Sequence, residues 1–524
     1  MVMRYASEVA MNRRRFVGLA GAAIPAYPWA ARQPRRAPEI EIEKGPFQGT
    51  RESLSHYEIP EWFRDAKFGI WAHWGPQSAV EAGDWYARNM YMEGSAQYHY
   101  HLQTYGHPSK FGFKDTIPAW KAEKFEPGEL IRLYKRAGAK YFVSMGVHHD
   151  NFDLWNSKHQ RWNAVNMGPR KDIVGAWAKA ARAEGLRFGV SEHLWITYKW
   201  FSTSHGHDQS GLFAGTPYDG ANAENADLYV ASDDIWTKLD WNESGIPEWW
   251  KRHWYARIKD LVDQHQPDLL YTDGALPFED YGLSLVAHCY NVSANRNSGK
   301  TQAIYNSKRR EDADRGISVL DVERGIVDKI WPQAWQTDTC IGDWHYKRGA
   351  TYKTPKVVID MLVDTVSRNG NLLLNFPLPA SGALDIEERY ILAEITKWMA
   401  VNGEGIHATR PWKIFGESPA ATGEASSREP GFNESNRKDL TVSDVRFTTK
   451  GNKLYAFVMG WADYDVAVRA LAQNSELRVG KIENVDLLGF EGKLHWSQSA
   501  DGLRIKLPQQ KPCEYAVVFR ITGA

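Results

Sequence analysis

Several apolar segments of the chain end at residues that can carry out acid, base or nucleophilic chemistry. These residues are His73 in AHWG, His148, His149 and Asp150 in HHD, Glu192 and His193 in SEH, Asp273 in TDG, and Asn375 in LNF. A single Asp at such a position is commonly the N-cap of a following helix. Carboxyl and imidazole groups at several segment ends instead predict one shared site. In such a site one carboxylate acts as a nucleophile, and a second carboxyl group, held protonated, donates to a leaving oxygen.

Two other chemistries use the same types of residue. His148 and His149 are adjacent, so they point to opposite faces of a strand, and no HxH or HExxH spacing involves either of them. A zinc hydrolase site built from His73, one of this pair and Asp273 is the alternative to carboxylate chemistry. A serine nucleophile is disfavoured, because no GxSxG segment occurs in this part of the chain.

Alternating strands and helices must position these residues. Apolar strand-like runs occupy 67–75, 140–150, 186–194, 268–274, 303–307, 334–338 and 371–376, and helical patterns occupy 127–138, 172–184, 248–264, 355–368 and 386–401. This alternation predicts a parallel sheet, and the number of units favours a closed (β/α)8-type barrel over an open doubly wound sheet. No glycine-rich phosphate loop follows the first strand, which disfavours the open sheet. Active sites of such barrels form at the C-terminal ends of the strands, where the polar residues lie.

Beyond about residue 410 the pattern changes to short runs with a period of two, separated by turn residues, which predicts a β-sandwich. We therefore divide the chain into an export signal (1–32), a leader segment (33–58), a catalytic barrel (59–405) and a C-terminal β-sandwich (406–524).

The export signal is predicted from its own pattern. Arg13 and Arg14 precede Phe16, a short apolar stretch follows, and small residues lie near residue 31, which resembles a bacterial twin-arginine signal. The apolar stretch is too short to span a membrane, so a membrane anchor is disfavoured. Met11 is an alternative start of translation. We expect the mature protein to be periplasmic or extracellular.

The composition limits the class of partner. Lys and Arg together number 64, as do Asp and Glu, so no net charge favours nucleic acid or an anionic membrane. The 23 Trp and 24 Tyr provide flat apolar faces that suit sugar rings as well as core packing. Cys289, Cys340 and Cys513 lack CxxC spacing, which excludes a zinc knuckle and a disulfide framework. A neutral substrate fits this composition best, and the composition does not indicate an oligomeric state.

Five segments together resemble the α-L-fucosidases of glycoside hydrolase family 29. They occur in the family's order: FGIWAHWGPQS (68–78), GDWYARNMY (83–91), YFVSMGVHHDNFDLWNS (141–157), PDLLYTDG (267–274) and LVDTVSRNGNLLLN (362–375). The similarity extends from about residue 55 to 410. It implies an imperfect (β/α)8 barrel followed by a β-sandwich. It also implies retaining hydrolysis of terminal α-L-fucosyl linkages in oligosaccharides or glycoconjugates, without a metal or organic cofactor.

The resemblance implies roles for individual residues. Asp273 falls on the family's nucleophile, which forms a covalent glycosyl intermediate. The positions that match sugar-binding residues are His73, Asp84, Trp85, His148, His149 and Tyr271. Asp84 stands where the family more often has Glu, and Tyr271 where it often has Trp. Both changes leave the chemistry possible.

The acid/base is less constant in position within the family. The stretch 320–346 resembles the family segment that carries it, which makes Glu323 the best candidate, with Asp321 and Asp338 in reserve. Gln336 stands where the family has a Glu after Trp, and an amide cannot exchange a proton in this way.

Other departures from the family leave alternatives open. Glu192 and His193 replace a Tyr-Tyr-Ser segment, and either can contact substrate; a buried Glu paired with His193 is the other interpretation. A family Arg corresponds to Lys308 or Arg309. The insertion 199–236 is expected to shape specificity for the leaving group. Two further functions stay open: a retaining glycosidase acting on another sugar, such as a galactoside, and a non-catalytic carbohydrate-binding protein.

Overall fold

The computed structural model describes residues 40–231, 234–235, 238–418, 432–477 and 480–524. From Ile42 to the end of the chain, these residues form one compact unit. The export signal predicted for residues 1–32 lies outside the described residues, as does the first part of the leader predicted for 33–58. The domain boundaries given above stay predictions.

Eight parallel strands in the described residues curl into a nearly closed barrel. In chain order they are β1 (Phe68–Ala72), β2 (Tyr141–Val147), β3 (Arg187–Glu192), β4 (Leu269–Thr272), β5 (Ile304–Ser307), β6 (Val319–Leu320), β7 (Trp335–Cys340) and β8 (Gly370–Asn375). Their order in the sheet is β6-β5-β4-β3-β2-β1-β8-β7. A parallel backbone bridge between Asp321 and Gln336 joins the two outer strands. The prediction of a (β/α)8-type barrel is therefore confirmed.

The barrel strands are buried on both faces. Every residue of the eight strands is buried except Arg187, which is partly exposed at the start of β3. Helices cover the outside of a parallel barrel and side chains fill its interior, so neither face of a strand meets water. This burial explains why the strands appear in the sequence as continuous apolar runs.

Helices surround the barrel, and several of them begin at a side-chain cap. In chain order they are α1 (Arg51–Leu54), α2 (Glu61–Ala66), α3 (Tyr86–Asn89), α4 (Ala96–Thr104), α5 (Phe113–Thr116), α6 (Pro127–Arg136), α7 (Ile173–Ala183), α8 (Thr197–Trp200), α9 (Glu248–His265), α10 (Asp280–Arg296), α11 (Arg310–Asp314), α12 (Pro355–Ser367) and α13 (Ile386–Asn402). Asp172 caps α7, Thr354 caps α12, and Asp385 caps α13, each by accepting from a backbone N–H of the first turn. Within the described ranges, no helix combines the length and the apolarity needed to cross a bilayer.

Two antiparallel sheets follow the barrel. Their strands are β9 (Arg410–Glu417), β10 (Val445–Lys450), β11 (Lys453–Val458), β12 (Val466–Val468), β13 (Asn484–Leu487), β14 (His495–Ser499), β15 (Gly502–Lys506) and β16 (Val517–Thr522). One sheet has the order β13-β16-β11-β10-β9 and the other β12-β15-β14. Phe447 and Phe519 of the first sheet share a buried core with Val468 and Leu503 of the second. Two sheets on one core form the predicted β-sandwich.

The sequence patterns missed β6, β9, β10 and α10, and also the shorter helices α1–α5, α8 and α11. β6 has two residues, which is too short for a pattern, and β9 is only partly buried. α10 is buried around most of its circumference, so it lacks an amphipathic period. Part of its cover comes from the leader segment, where the backbone N–H of Phe47 donates to the side chain of Asn291 (2.9 Å).

A buried cluster of charges connects the barrel to the sandwich. Asp364 of α12 accepts from the guanidinium of Arg446 in β10 (2.6 Å) and of Arg368 (3.2 Å), and Arg437 lies 3.9 Å away. Burial by itself raises the pKa of Asp364, but the three guanidinium groups outweigh burial and hold this pKa below its ordinary value. The carboxylate therefore stabilises the folded contact between the two domains.

We expect Asp364→Ala to lower the free energy of unfolding by about 3–5 kcal/mol, because it leaves buried guanidinium groups without their anion. Since the pKa of Asp364 is lowered in the folded state, its carboxylate stabilises the fold at pH values above the pKa of about 4 in the unfolded chain. This stabilisation is lost as the pH falls. Denaturant unfolding at pH 7 and at lower pH measures both effects. Asp314→Ala, which breaks the exposed pair with Arg310, is the matched control and should cost less than about 1 kcal/mol. Equal losses in the two variants would contradict the expectation.

Candidate active site

A cavity of about 280 Å³ lies at the C-terminal ends of the barrel strands. The residues predicted to act in catalysis or substrate binding line it, except Glu192; Asp150 and Asn375, which also follow apolar runs, do not. It is lined also by Trp71, His193, Trp241, Lys308, Asp338 and Trp344. The residues that follow the apolar runs thus meet at one end of the barrel.

The backbone at Asp273 is held on both sides of the strand end. The N–H of Asp273 donates to the carbonyl of Glu192 (3.0 Å), and its carbonyl accepts from the indole of Trp195 (2.6 Å). The carbonyl of Gly274 accepts from the N–H of Lys308 (2.8 Å). Gly274 has φ 136°, and a Cβ there would lie 3.1 Å from the Trp195 ring. Glycine is therefore needed to turn the chain after Asp273.

Three side chains surround the carboxylate of Asp273. Oδ1 contacts the ammonium of Lys308, while Oδ2 lies 3.1 Å from Nδ1 of His193 and 3.4 Å from Nε2 of His149. Burial by itself raises the pKa of Asp273, but Lys308 and His193 outweigh it and hold the pKa well below its ordinary value. Asp273 is therefore an ionised carboxylate across the physiological pH range.

The ammonium of Lys308 also contacts Oε2 of Glu323. One Lys nitrogen thus touches carboxylate oxygens from the ends of two different strands. Burial by itself lowers the pKa of Lys308, but Asp273 and Glu323 outweigh it and raise the pKa well above its ordinary value. Lys308 is therefore the cation that holds the two carboxylates together. Of the two positions that the sequence left open for the family Arg, Lys308 rather than Arg309 lines the cavity.

His73, His148 and His193 are neutral side chains that can donate and accept hydrogen bonds. Burial lowers the pKa of His73 and of His148 well below its ordinary value, and it lowers the pKa of His193 to about 4. Gln77 accepts through Oε1 from the N–H of Ala87 and donates through Nε2 to Nδ1 of His148 (2.8 Å). Nε2 of His148 consequently carries the proton and can donate to a hydroxyl group.

Asp84 is positioned by a histidine that the sequence analysis did not single out. Nδ1 of His345 lies 2.6 Å from Oδ1 of Asp84, and Nε2 of His148 lies 3.9 Å from the same oxygen. Asp84 stands where the family more often has Glu, and its side chain is one methylene shorter. The His345 ring bonds to this shorter carboxylate. The backbone N–H of His73 donates to the side chain of Asn375 (2.8 Å), which connects the ends of β1 and β8.

Aromatic rings form the walls of the cavity. Trp241 lies 5.9 Å from Trp85, and Trp71 lies 5.1 Å from Tyr271, measured between ring centroids. The ammonium of Lys308 lies 5.8 Å from the centre of the Tyr271 ring. Apolar walls with a few convergent polar groups are typical of sites for small polar ligands such as sugars.

Two groups of described side chains bring possible metal ligands within 4.8 Å of one another: His73, Asp84, His148 and His345, and His148, His149 and His193. A metal ligand must offer a lone pair, whereas Nε2 of His148 carries a proton and Asp84 is bonded to His345. These groups suit hydrogen bonds to hydroxyl groups better than metal coordination. Neither group contains Asp273, so the geometry does not support the alternative zinc site.

Glu192 lies behind the cavity wall. It is fully buried, and its carboxylate accepts from Thr272 (2.7 Å), the indole of Trp254 (3.1 Å) and the N–H of Leu194 (2.9 Å). Glu192 therefore does not pair with His193, although one interpretation of the sequence expected this pair. Burial raises the pKa of Glu192 from 4.5 to about 7. The residue supports the ends of β3 and β4 and has no free oxygen facing a substrate.

The reserve carboxylates lie in the barrel interior. Asp338 lines the cavity, and its Oδ2 accepts from the hydroxyl of Tyr271 (3.0 Å); burial raises its pKa to about 6. Asp321 accepts from Nε2 of Gln336 (2.8 Å), whose Oε1 accepts from the hydroxyl of Tyr141 (2.8 Å). Gln336 is therefore a fully bonded interior residue that does not line the cavity.

The sequence analysis missed three cavity residues, Trp71, Trp241 and Trp344, and also His345, which bonds to Asp84. Trp71 precedes His73 by two positions on β1, so the two-residue period of a strand provided a signal for it. Trp344 and His345 follow β7 in a segment that was examined only for carboxylates. Trp241 belongs to the long connection between β3 and β4, which carries no pattern that identifies it.

Comparison with known proteins agrees with this geometry. The sequence model of the α-L-fucosidase family matches residues 37–404, and that of the α-L-fucosidase C-terminal domain matches residues 437–522. The tissue α-L-fucosidases of Rattus norvegicus and Homo sapiens are each 28% identical to the chain, and the alignments cover 89% and 90% of it and 89% and 91% of the relatives.

Solved structures share the fold. A Thermotoga maritima α-fucosidase in complex with fucose superimposes with a TM-score of 0.67 at 24% identity, over 90% of this chain and 99% of the other. An α-L-fucosidase structure superimposes with a TM-score of 0.70 at 23% identity, over 91% and 100%. The barrel, its carboxylates and its sugar-sized cavity define a glycoside hydrolase. The chain belongs to the α-L-fucosidase family, which the sequence resemblance had indicated.

We expect Glu192→Gln to change the pH dependence of stability without abolishing turnover. The folded protein binds the proton of Glu192 more tightly than the unfolded chain does, so stability falls as the pH rises from about 4.5 to 7, by about 3 kcal/mol in all. A neutral amide removes this dependence. Thermal unfolding at pH 5 and pH 8 measures it, with Glu387→Gln at an exposed position as the control. A variant that keeps the wild-type slope would contradict the assignment.

Proposed function

We propose that the protein releases terminal α-L-fucose from fucosylated oligosaccharides or glycoconjugates by a double displacement that retains the anomeric configuration. The observation that carries the proposal is the contact of the Lys308 ammonium with both Asp273 and Glu323. Two oxygens bonded to one nitrogen are at most about 6 Å apart. Retaining glycosidases have carboxyl groups roughly 5–5.5 Å apart, and inverting enzymes about 6.5–9.5 Å, so this arrangement supports retention.

In the first step Asp273 is the nucleophile. Its lowered pKa keeps a carboxylate available to attack the anomeric carbon, and its anchored backbone fixes the direction of attack. As the bond from Asp273 to this carbon forms, the glycosidic carbon–oxygen bond breaks and Glu323 transfers its proton to the leaving oxygen. The side chain of Glu323 is 28% exposed, against 17% for Asp273, so it lies closer to the mouth where a leaving group must exit.

In the second step Glu323 is the base. Formation of the covalent intermediate consumes the charge of Asp273, and the Lys308 ammonium then faces one anion. Glu323, a carboxylate after giving up its proton in the first step, takes a proton from water while the water oxygen attacks the anomeric carbon. The bond to Asp273 breaks, and fucose leaves with its configuration retained.

The surrounding groups support binding of a neutral sugar. The ring nitrogens of His73 have no hydrogen-bond partner among the described residues, and His148 presents an N–H. Neutral imidazoles discriminate hydroxyl groups by direction without attracting anions. Asp338 also has a raised pKa, but it is almost fully buried and bonded to Tyr271, so it is a weaker candidate for the acid than Glu323.

We expect Asp273→Gly to reduce hydrolysis of 4-nitrophenyl α-L-fucoside to background, and Glu323→Ala to reduce kcat by about 10²–10⁴-fold. Azide should rescue both variants, because each deletion leaves space for a small anion. It should give β-fucosyl azide with Asp273→Gly, by direct attack on the substrate, and α-fucosyl azide with Glu323→Ala, by attack on the covalent intermediate. NMR of the products identifies the anomer.

Asp338→Ala is the matched control for the acid/base assignment. Rescue of Asp338→Ala to α-fucosyl azide, with none for Glu323→Ala, would transfer the assignment to Asp338. Release of β-fucose as the first product of the wild type would contradict retention. A wild type that hydrolyses an aryl galactoside and not the fucoside would support action on another sugar.

We also propose that the protein is exported through a twin-arginine route to the periplasm or the medium. The proposal is supported by Arg13 and Arg14 ahead of the short apolar stretch. Replacing both with Lys in the full chain should retain the protein in the cytoplasm of a bacterial host, because the receptor for such signals reads the arginine pair. Fractionation followed by an activity assay tests this, and export of the Lys variant would contradict it.

A further inference from the structure

A short part of the C-terminal region lies against the loop that carries Glu323. We name residues 432–437, which include the single turn Glu434–Asn436, the C-terminal segment. We name residues 322–327, between β6 and β7, the Glu323 loop. The C-terminal segment precedes β10, so it belongs to the sandwich side of the chain and not to the barrel.

Four hydrogen bonds join these two segments. The carbonyl of Arg324 accepts from the backbone N–H groups of Asn433 (3.2 Å) and Glu434 (2.7 Å). The side chain of Asn433 binds both polar groups of Ile326: its Oδ1 accepts from the N–H (2.8 Å) and its Nδ2 donates to the carbonyl (3.1 Å). The side-chain amide of Asn433 thus makes the same two hydrogen bonds to Ile326 that the backbone of a neighbouring β-strand would make.

The barrel holds the other side of the Glu323 loop. The hydroxyl of Thr337 in β7 lies 2.8 Å from the carbonyl of Val322 and 2.9 Å from that of Gly325. The N–H of Arg324 donates to the carbonyl of Asp338 (2.8 Å). Glu323 is therefore presented by a loop bonded on one side to the barrel and on the other to the C-terminal segment.

The conformation of the loop requires such support. Arg324, directly after Glu323, has φ 41°, in the left-handed region that residues other than glycine rarely adopt. Its guanidinium lies over the rings of Trp344 (5.0 Å) and Phe432 (5.9 Å), so the C-terminal segment contacts both its backbone and its side chain. Loss of the bonds to Asn433 would let the loop relax and would move the adjacent carboxyl group.

The C-terminal segment is itself fixed to the barrel. The carboxylate of Glu434 forms an ion pair with Lys353 (2.7 Å), whose ammonium also donates to the carbonyl of Cys340 at the end of β7 (2.6 Å). Arg437 lies 3.9 Å from Asp364 in α12. The segment is thus anchored to the barrel directly after Asn433 and can transmit a fixed position to the loop.

We propose that Asn433 is a positioning residue for the proton transfers of Glu323, so that the C-terminal segment is part of the catalytic apparatus. The inference rests on the proposed function, in which Glu323 is the acid/base. Proton transfer requires the carboxyl group within hydrogen-bond reach of the glycosidic oxygen, and a displacement of about 1 Å can cost roughly 10²-fold in rate. The effect falls on the step that needs protonation and not on attack by Asp273.

The experiment compares two leaving groups in the full-length protein. 2-Chloro-4-nitrophenyl α-L-fucoside releases an acidic phenol that needs little protonation, and a fucosyl-galactose disaccharide releases an alcohol that needs full protonation. We expect Asn433→Ala to lower kcat/KM about tenfold to a hundredfold for the disaccharide and by much less for the aryl fucoside. Asn433→Asp, which keeps the acceptor for Ile326, should fall between Asn433→Ala and the wild type.

Asn436→Ala is the matched control, because Asn436 is exposed on the same turn. It should leave both substrates unaffected. Glu323→Gln provides the reference for a lost acid and should show a strong dependence on the leaving group. If Asn433→Ala does not fold, as judged by thermal unfolding, Asn433→Asp carries the comparison.

Suppose that Glu323→Gln depends on the leaving group. Equal losses of Asn433→Ala on the two substrates, or no loss on either, would then overturn the positioning role of Asn433. If Glu323→Gln itself shows no such dependence, the acid/base assignment fails and this inference fails with it. A loss confined to the disaccharide in both Asn433→Ala and Glu323→Gln supports both.

Discussion

A single ammonium group, that of Lys308, allows two carboxylates to face the same cavity. In the proposed mechanism this cation pairs with whichever of the two groups is ionised, Asp273 before the first displacement and Glu323 after it. Burial keeps the pKa values of His73, His148 and His193 low, so these imidazoles do not supply this positive charge. Lys308 therefore sets the charge state of the site, and the neutral groups around it are free to recognise hydroxyl groups.

The identity of this cation affects how the site works. A guanidinium presents a rigid planar fork that matches one carboxylate at two points, whereas an ammonium is a point charge with three rotatable donors. Lys308 uses this property to contact oxygens from Asp273 and Glu323 at the same time. Its backbone N–H is bonded to the carbonyl of Gly274, so the residue is also fixed to the segment that carries Asp273. Lys308 thus contacts Asp273 through its charge and Gly274 through its backbone, and both residues follow the neighbouring strand β4.

The sequence predicted the features that depend on local pattern. Long apolar strands and amphipathic helices were placed within a few residues, and polar residues at strand ends identified most of the cavity, because parallel strands bring their ends to one side. The strand β6 was missed because two residues cannot show a period. Glu192 was placed in the site because the sequence does not indicate whether a strand-end carboxylate turns into the cavity or behind its wall. Trp241 and Asn433 lie in segments without a period, and their positions depend on tertiary contacts alone.

The closure of the barrel through one backbone bridge, between Asp321 and Gln336, has a consequence for how this enzyme can change. Asp273, the proposed nucleophile, directly follows a strand whose register is set by neighbours on both sides, so its location is fixed to the barrel. Glu323, the proposed acid/base, lies two residues after Asp321, on the loop that joins β6 to β7. Insertions or deletions in this loop would move the proposed proton donor relative to a bound sugar while the eight strands keep their order. The loop between β6 and β7 is therefore a place where the proposed acid can be matched to different leaving groups without change to the rest of the barrel.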